Sequence, residues 1–231
     1  MPGRRVGPFL AAVLMVVIGL ARGAAAGELP GALLTLEAAD QARDDRFSAA
    51  APFRFALLED GQVFVGGTSG LLAGRLSKDE VAVFDRRLND VRKLPGLASV
   101  VTFSPEKTGY RLGSRKGNKP LDVLAQGDPK AGHPALAPLG ALITDLVAFR
   151  HPSMRPFEPT SYAVLAREAT LPGGCRSWTV PVSLADVLTG PRATPAVNVS
   201  GWPTGATPAQ VCVGDKRYLV GFRPLVAGEK P

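Results

Sequence analysis

The chain has 231 residues, with 27 Lys and Arg against 20 Asp and Glu, 45% apolar residues and 20% charged ones. That balance belongs to a globular protein and excludes a disordered polyelectrolyte. Two cysteines and two histidines exclude a cysteine-rich scaffold and an all-cysteine zinc site, and leave few ways to build a histidine metal centre.

The first residues carry an export pattern. Arg4 and Arg5 stand near the start without an acid, the following residues to Ala21 are uncharged, and Ala24 and Ala26 fit an A-x-A cleavage site. A basic, then apolar, then small-residue order predicts a signal peptide over 1–26, cleaved after Ala26, and so a secreted or periplasmic protein. The alternative is a retained membrane anchor, but a spanning helix wants about 20 apolar residues and this run is shorter. Membrane contact is expected only if the segment stays attached. Arg4, Arg5 and Arg22 leave with it, so the net charge of +7 becomes +4. Much of the basic excess is thereby lost, and no nucleic-acid partner is expected.

Residues 27–51 are Ala-rich and mixed in charge, and read as a lead-in or a short helix. From Pro52 onward, Phe53, Phe55 and Leu57 alternate with Arg54 and Ala56, and Asp60-Gly61 separates them from Gln62 to Val65. Two β-rich runs around Asp-Gly predict a hairpin with a type I′ turn. Residues 66–70 form a Gly-rich loop in this reading, and 71–76 a further short strand. Ser77 and Glu80 have the spacing of a capping box. Val81, Phe84, Leu88 and Val91 then recur at helical intervals, which predicts a helix over 78–94 ended by Pro95-Gly96.

Strands are expected at 99–103, 109–113 and 121–125. A second helix over 137–150 carries Leu139, Ile143 and Leu146 on one stripe, with Pro138 tolerated in its first turn. Pro152, Pro156 and Pro159 impose an extended segment, and 161–166 reads as a strand. Beyond Pro172-Gly173-Gly174, a short helix follows Ser183, strands are expected at 197–202 and 211–213, and a hairpin turns at Gly214-Asp215 into 217–222. Cys175 and Cys212 are too far apart for a C-x-x-C redox pair and are expected to form a structural disulfide. Closing a loop of about 37 residues stabilises by about 3–4 kcal/mol in the chain-entropy account.

The fold class is therefore α+β: an antiparallel sheet of hairpins with two amphipathic helices on one face, plus a small disulfide-stapled β-rich C-terminal segment. Residues 52–168 form the core domain in this reading, and 169–231 the smaller segment.

No motif supports catalysis. Gly67-Thr68-Ser69-Gly70 lacks the spacing of a nucleophile elbow. Ser104 to Gly109 holds S-x-x-K and K-T-G, but both would have to share Lys107. His133 and His151 each precede a proline and lack metal-ligand spacing. No catalytic, metal or cofactor residue is assigned, and no cofactor is expected. Asn198-Val199-Ser200 is a sequon that matters only where N-glycosylation operates.

The most specific surface feature is basic. Arg111, Arg115, Lys116 and Lys119 cluster around a turn and are the candidate contacts for a protein or an anionic polymer. The same charges would also protect a hairpin tip from edge pairing. The functional expectation is an exported, non-enzymatic protein that binds a macromolecular partner through exposed loops. A hydrolase of envelope or extracellular polymers, built from groups that meet only in the fold, is the alternative; a structural envelope component is a third.

Overall fold

The computed structural model describes residues 29–40, 54–67, 70–106, 108–116, 120–169, 173–204 and 208–231. The segment read as a signal peptide lies outside these residues, as does Lys119.

The first eight strands form one sheet. They are β1 (Ala32–Asp40), β2 (Arg54–Leu58), β3 (Gln62–Gly67), β4 (Gly70–Arg75), β5 (Val100–Thr102), β6 (Thr108–Ser114), β7 (Leu121–Gln126) and β8 (Arg155–Pro156), in the order β5-β7-β6-β1-β2-β3-β4-β8. Neighbours are antiparallel except β5 and β7. Helices α1 (Lys78–Arg92) and α2 (Ala137–Val147) share one face of it. There Leu34 and Leu36, Phe55 and Leu57, Val63 and Val65, Leu112 and Val123 pack against Leu88 and Val91 of α1 and Leu139, Ile143 and Leu146 of α2. Alternation along strands and a three-to-four step along helices thus supply one continuous core, as the sequence patterning requires.

A second sheet follows, from β9 (Ser161–Glu168), β10 (Arg192–Pro195), β11 (Ala209–Val213) and β12 (Lys216–Leu225), in the order β10-β9-β12-β11 and antiparallel throughout. The short helix α3 (Leu184–Thr189) contributes Val187 to a core with Val164, Val220 and Phe222. Ser183 is its N-cap by position, but the side chain makes no capping bond. The expected disulfide joins Cys175 to Cys212. It holds Arg176 along the outer edge of β11, where Arg176 N–H donates to Gln210 O at 2.9 Å and Cys212 N–H donates to Arg176 O at 3.1 Å.

Several local expectations are corrected. The segment 27–51 contains β1, which is neither a lead-in nor a helix but an interior strand paired with β6 and β2. Pairing on both edges overrides the helix preference of its Ala and Leu residues. The Asp60-Gly61 hairpin forms, but Gly61 alone has positive φ, at 87°, and its N–H donates to Leu58 O at 3.1 Å. The turn is thus Leu58 to Gly61 rather than type I′. Gly66 and Gly67 belong to β3 and Gly70 to β4, with Gly67 and Gly70 paired, so a tight connection replaces the five-residue loop.

Helix α2 ends at Val147 rather than 150: Ala148 N–H still donates to Thr144 O at 3.0 Å, but Phe149 N–H turns to Leu146 O at 3.3 Å, a tightened last turn that closes the helix. The strand expected at 197–202 is instead a 3-10 turn over Ala196–Val199, with Trp202 N–H donating to Val199 O. Strand β9, from the segment assigned to the core domain, pairs with β12 beyond residue 168, so the second sheet draws on both sides of that boundary. Among the described residues, no helix is long and apolar enough to cross a membrane.

Candidate functional site

Strand register separates the two surfaces singled out in the sequence. Gly67 and Gly70 pair at the end of the sheet where β1 finishes at Asp40 and β6 starts at Thr108. The basic tip follows Ser114, at the other end of β6. Six strand steps of about 3.4 Å put roughly 20 Å between these ends.

Two of the basic residues are matched to acids. Arg111 lies within β6, where Nε and Nη2 donate to the two oxygens of Asp122 at 2.8 and 2.7 Å. This forked bond, with the Arg111 charge, holds the Asp122 carboxyl below its ordinary range. Lys116 Nζ lies 3.1 Å from Asp85 of α1, and Arg92 donates to the Lys116 carbonyl. Arg115 is exposed. Arg111 and Lys116 are therefore matched to separate acids, on β7 and on α1.

A serine, a histidine and a glutamate do meet. His151 Nδ1 lies 2.7 Å from Ser153 Oγ, and Nε2 lies 3.2 Å from Glu80 Oε1. Activation of a serine needs a base nitrogen free to take its proton. Here Nδ1 already accepts Ser153 N–H at 3.2 Å, which places the imidazole proton on Nε2, toward Glu80. The Ser153 hydroxyl accepts Arg75 N–H at 2.9 Å, and its one proton faces both His151 Nδ1 at 2.7 Å and Arg75 O at 3.1 Å. Glu80 in turn takes Ser77 N–H and Oγ–H, both at 2.8 Å. Those bonds, then His151, hold the Glu80 carboxyl below its ordinary range. The constellation is a clasp that fastens the start of α1 and the end of β4 to the segment returning from α2.

A concave feature lies beside α2. A hollow of about 420 Å³ is lined by Phe103, Pro129, Lys130, Gly132, His133, Leu136, Ala137, Gly140, Ala141, Thr144 and Asp145. Ligand sites typically occupy about 300–1,000 Å³ and combine an apolar floor with a few polar groups. Two capped turns shape its wall. Asp128 Oδ1 accepts Lys130 N–H at 2.9 Å, while Asp128 N–H donates to Ser104 Oγ at 2.8 Å. His133 Nδ1 accepts Ala135 N–H at 3.1 Å, which leaves the proton on Nε2. Gly132 and Gly140 set the floor, since a Cβ on either would collide with the Phe103 ring or the Pro129 carbonyl respectively.

Sequence reasoning passed over this hollow. Its local signals were Asp128-Pro129, His133-Pro134 and a glycine inside a helix pattern, each an ordinary loop or breaker feature alone. Phe103 reaches the others because β5 runs parallel to β7, so both strands finish at the same end of the sheet. The hollow thus shares that end with the β3–β4 connection. Its lining contains no nucleophile paired with a base. Among the described residues, no three potential metal ligands cluster.

A further charged group sits where the two sheets meet. Glu229 Oε1 accepts Arg54 Nη2 and Arg223 Nη1, both at 2.5 Å, and Oε2 accepts Val226 N–H at 3.0 Å. Glu37 lies across from Arg54 in the β1–β2 register, at 3.7 Å. Burial pushes the Glu37 carboxyl above its ordinary range, against the pull of Arg54 and Arg223. With Arg54, Arg223 and Glu229 buried and Glu37 half-buried beside them, this cluster is a joint. Comparison with protein-family models, curated proteins and solved structures finds no match for the chain.

Proposed function

We propose that the chain is an exported, non-enzymatic protein that binds a macromolecular partner, and that the hollow beside α2 receives a group projecting from that partner. Export is supported by the basic, apolar and small-residue order of residues 1–26 together with the Cys175–Cys212 disulfide. The observation that carries the binding reading is the hollow itself, a concave site of about 420 Å³ with an apolar floor and charged rim at the connection-bearing end of the sheet. The alternative, a hydrolase of envelope or extracellular polymers, would draw on Ser153 and His151. There Nδ1 of His151 is shared between the backbone N–H and the hydroxyl of Ser153, and that hydroxyl is also bonded to the Arg75 backbone.

Ala141 tests the proposal, because it lines the hollow yet is exposed on α2. Crosslinked capture from envelope and secreted fractions, compared between the native protein and Ala141→Trp, should show the native partner lost when the indole fills the site. Equal recovery of that partner by both proteins would place the contact elsewhere and overturn the assignment.

A further inference from the structure

We infer that the hollow beside α2 takes a large apolar side chain from an acidic segment of a partner protein. The inference deepens the binding reading and rests on it. Phe103, Pro129, Leu136, Ala137 and Ala141 make an apolar floor. A buried aromatic anchor brings about 150–250 Å² of surface and is the kind of group that dominates an interface.

The rim decides what flanks that anchor. Three titratable side chains line the hollow: Lys130, His133 and Asp145. The Asp145 charge is matched, since Arg87 Nη2 donates to its Oδ2 at 2.6 Å. His133 accepts Ala135 N–H through Nδ1 and so turns a donor, Nε2–H, to its surroundings. Lys130 is exposed and makes no ion pair among the described residues. The acid nearest to it in the chain, Asp128, gives Oδ1 to the Lys130 backbone N–H. The lining therefore offers an unmatched cation and an N–H donor, and its single acid is already paired. A carboxylate beside the anchor complements that rim, whereas a lysine would meet Lys130 as a like charge.

The test uses the oxidised, ¹⁵N-labelled protein and three end-blocked pentapeptides. The first has tryptophan between two pairs of acids, the second replaces tryptophan with alanine, and the third replaces the four acids with lysine. The first should shift the backbone amide signals of Gly132, Gly140, Ala141 and Thr144 saturably, and bind at least about tenfold more tightly than the other two. Lys130→Glu should remove most of that preference for acid over lysine. Equal binding of the acidic and basic tryptophan peptides, or an unchanged preference in Lys130→Glu, would overturn the acidic class while leaving the hollow as the site. No shift with any peptide would overturn the inference, and the separate capture comparison with Ala141→Trp would still judge the binding reading.

Discussion

Gly140 stands inside α2, where glycine costs roughly 1 kcal/mol relative to alanine, and it is buried. Its presence is explained by the carbonyl of Pro129, which a Cβ at this position would strike. A carbonyl belongs to the backbone and cannot rotate aside as a side chain can. Gly140→Ala should therefore force the 3-10 turn Pro129–Ala131 away from α2, against the gain in helix propensity. The expected net loss is about 1–3 kcal/mol, the usual cost of overpacking, read from the midpoint of urea unfolding. A variant more stable than the native protein would mean that this turn yields freely, and that the floor of the hollow is not fixed by its glycines.

Helix α1 shows why some elements are legible and others are not. Its start is written within four residues: Glu80 N–H donates to Ser77 Oγ at 3.3 Å, and Glu80 reaches back to Ser77 N–H at 2.8 Å. Ser77→Ala removes the first bond together with the Ser77 Oγ–H bond to Glu80 and should cost about 1 kcal/mol, whereas Ser77→Asp, which keeps an acceptor at the cap, should recover most of it in the same unfolding measurement. If alanine costs nothing, the backbone N–H of residue 77 and His151, both on Glu80, suffice to hold the helix start. The stripe of Leu88 and Val91, like that of Leu139, Ile143 and Leu146, was equally readable because helix burial repeats locally. Strand β1 was not. It is paired by β2 and β6, which lie about 20 to 75 residues away in sequence, and no local pattern announces such pairing. The hollow fails to show for the same reason, being assembled from Phe103, two capped turns and α2. The basic residues were visible as charges, but the acids that match them, Asp122 and Asp85, are brought close by the fold.

At the scale of the whole molecule, the joint between the sheets holds four charges, two positive and two negative. Glu229 bridges Arg54 of β2 and Arg223 of β12, with a side chain wholly removed from solvent. Glu37 stands beyond Arg54, at a longer 3.7 Å. Removing one partner of a buried pair exposes the other as an uncompensated charge, so the two glutamates are not equivalent. Glu229 is held by three hydrogen bonds, whereas burial dominates at Glu37 and raises its carboxyl above the ordinary value of 4.5. A carboxyl raised in the folded state contributes its stability in full below the unfolded value and loses it as pH rises through the folded one. Asp122 has the opposite sign: its stabilisation by Arg111 is present above the ordinary carboxylate range and fades as pH falls, screened by its exposure. Glu37→Gln leaves Asp122 untouched and deletes only the Glu37 titration. Its urea midpoint relative to the native protein should therefore climb as pH rises from about 4.5 toward 7. A difference that stays flat across that interval would show that Arg54 and Arg223 fully offset the burial of Glu37. The joint would then be a balanced set of four charges, in which the Glu37 carboxylate is held as favourably in the fold as in the unfolded chain.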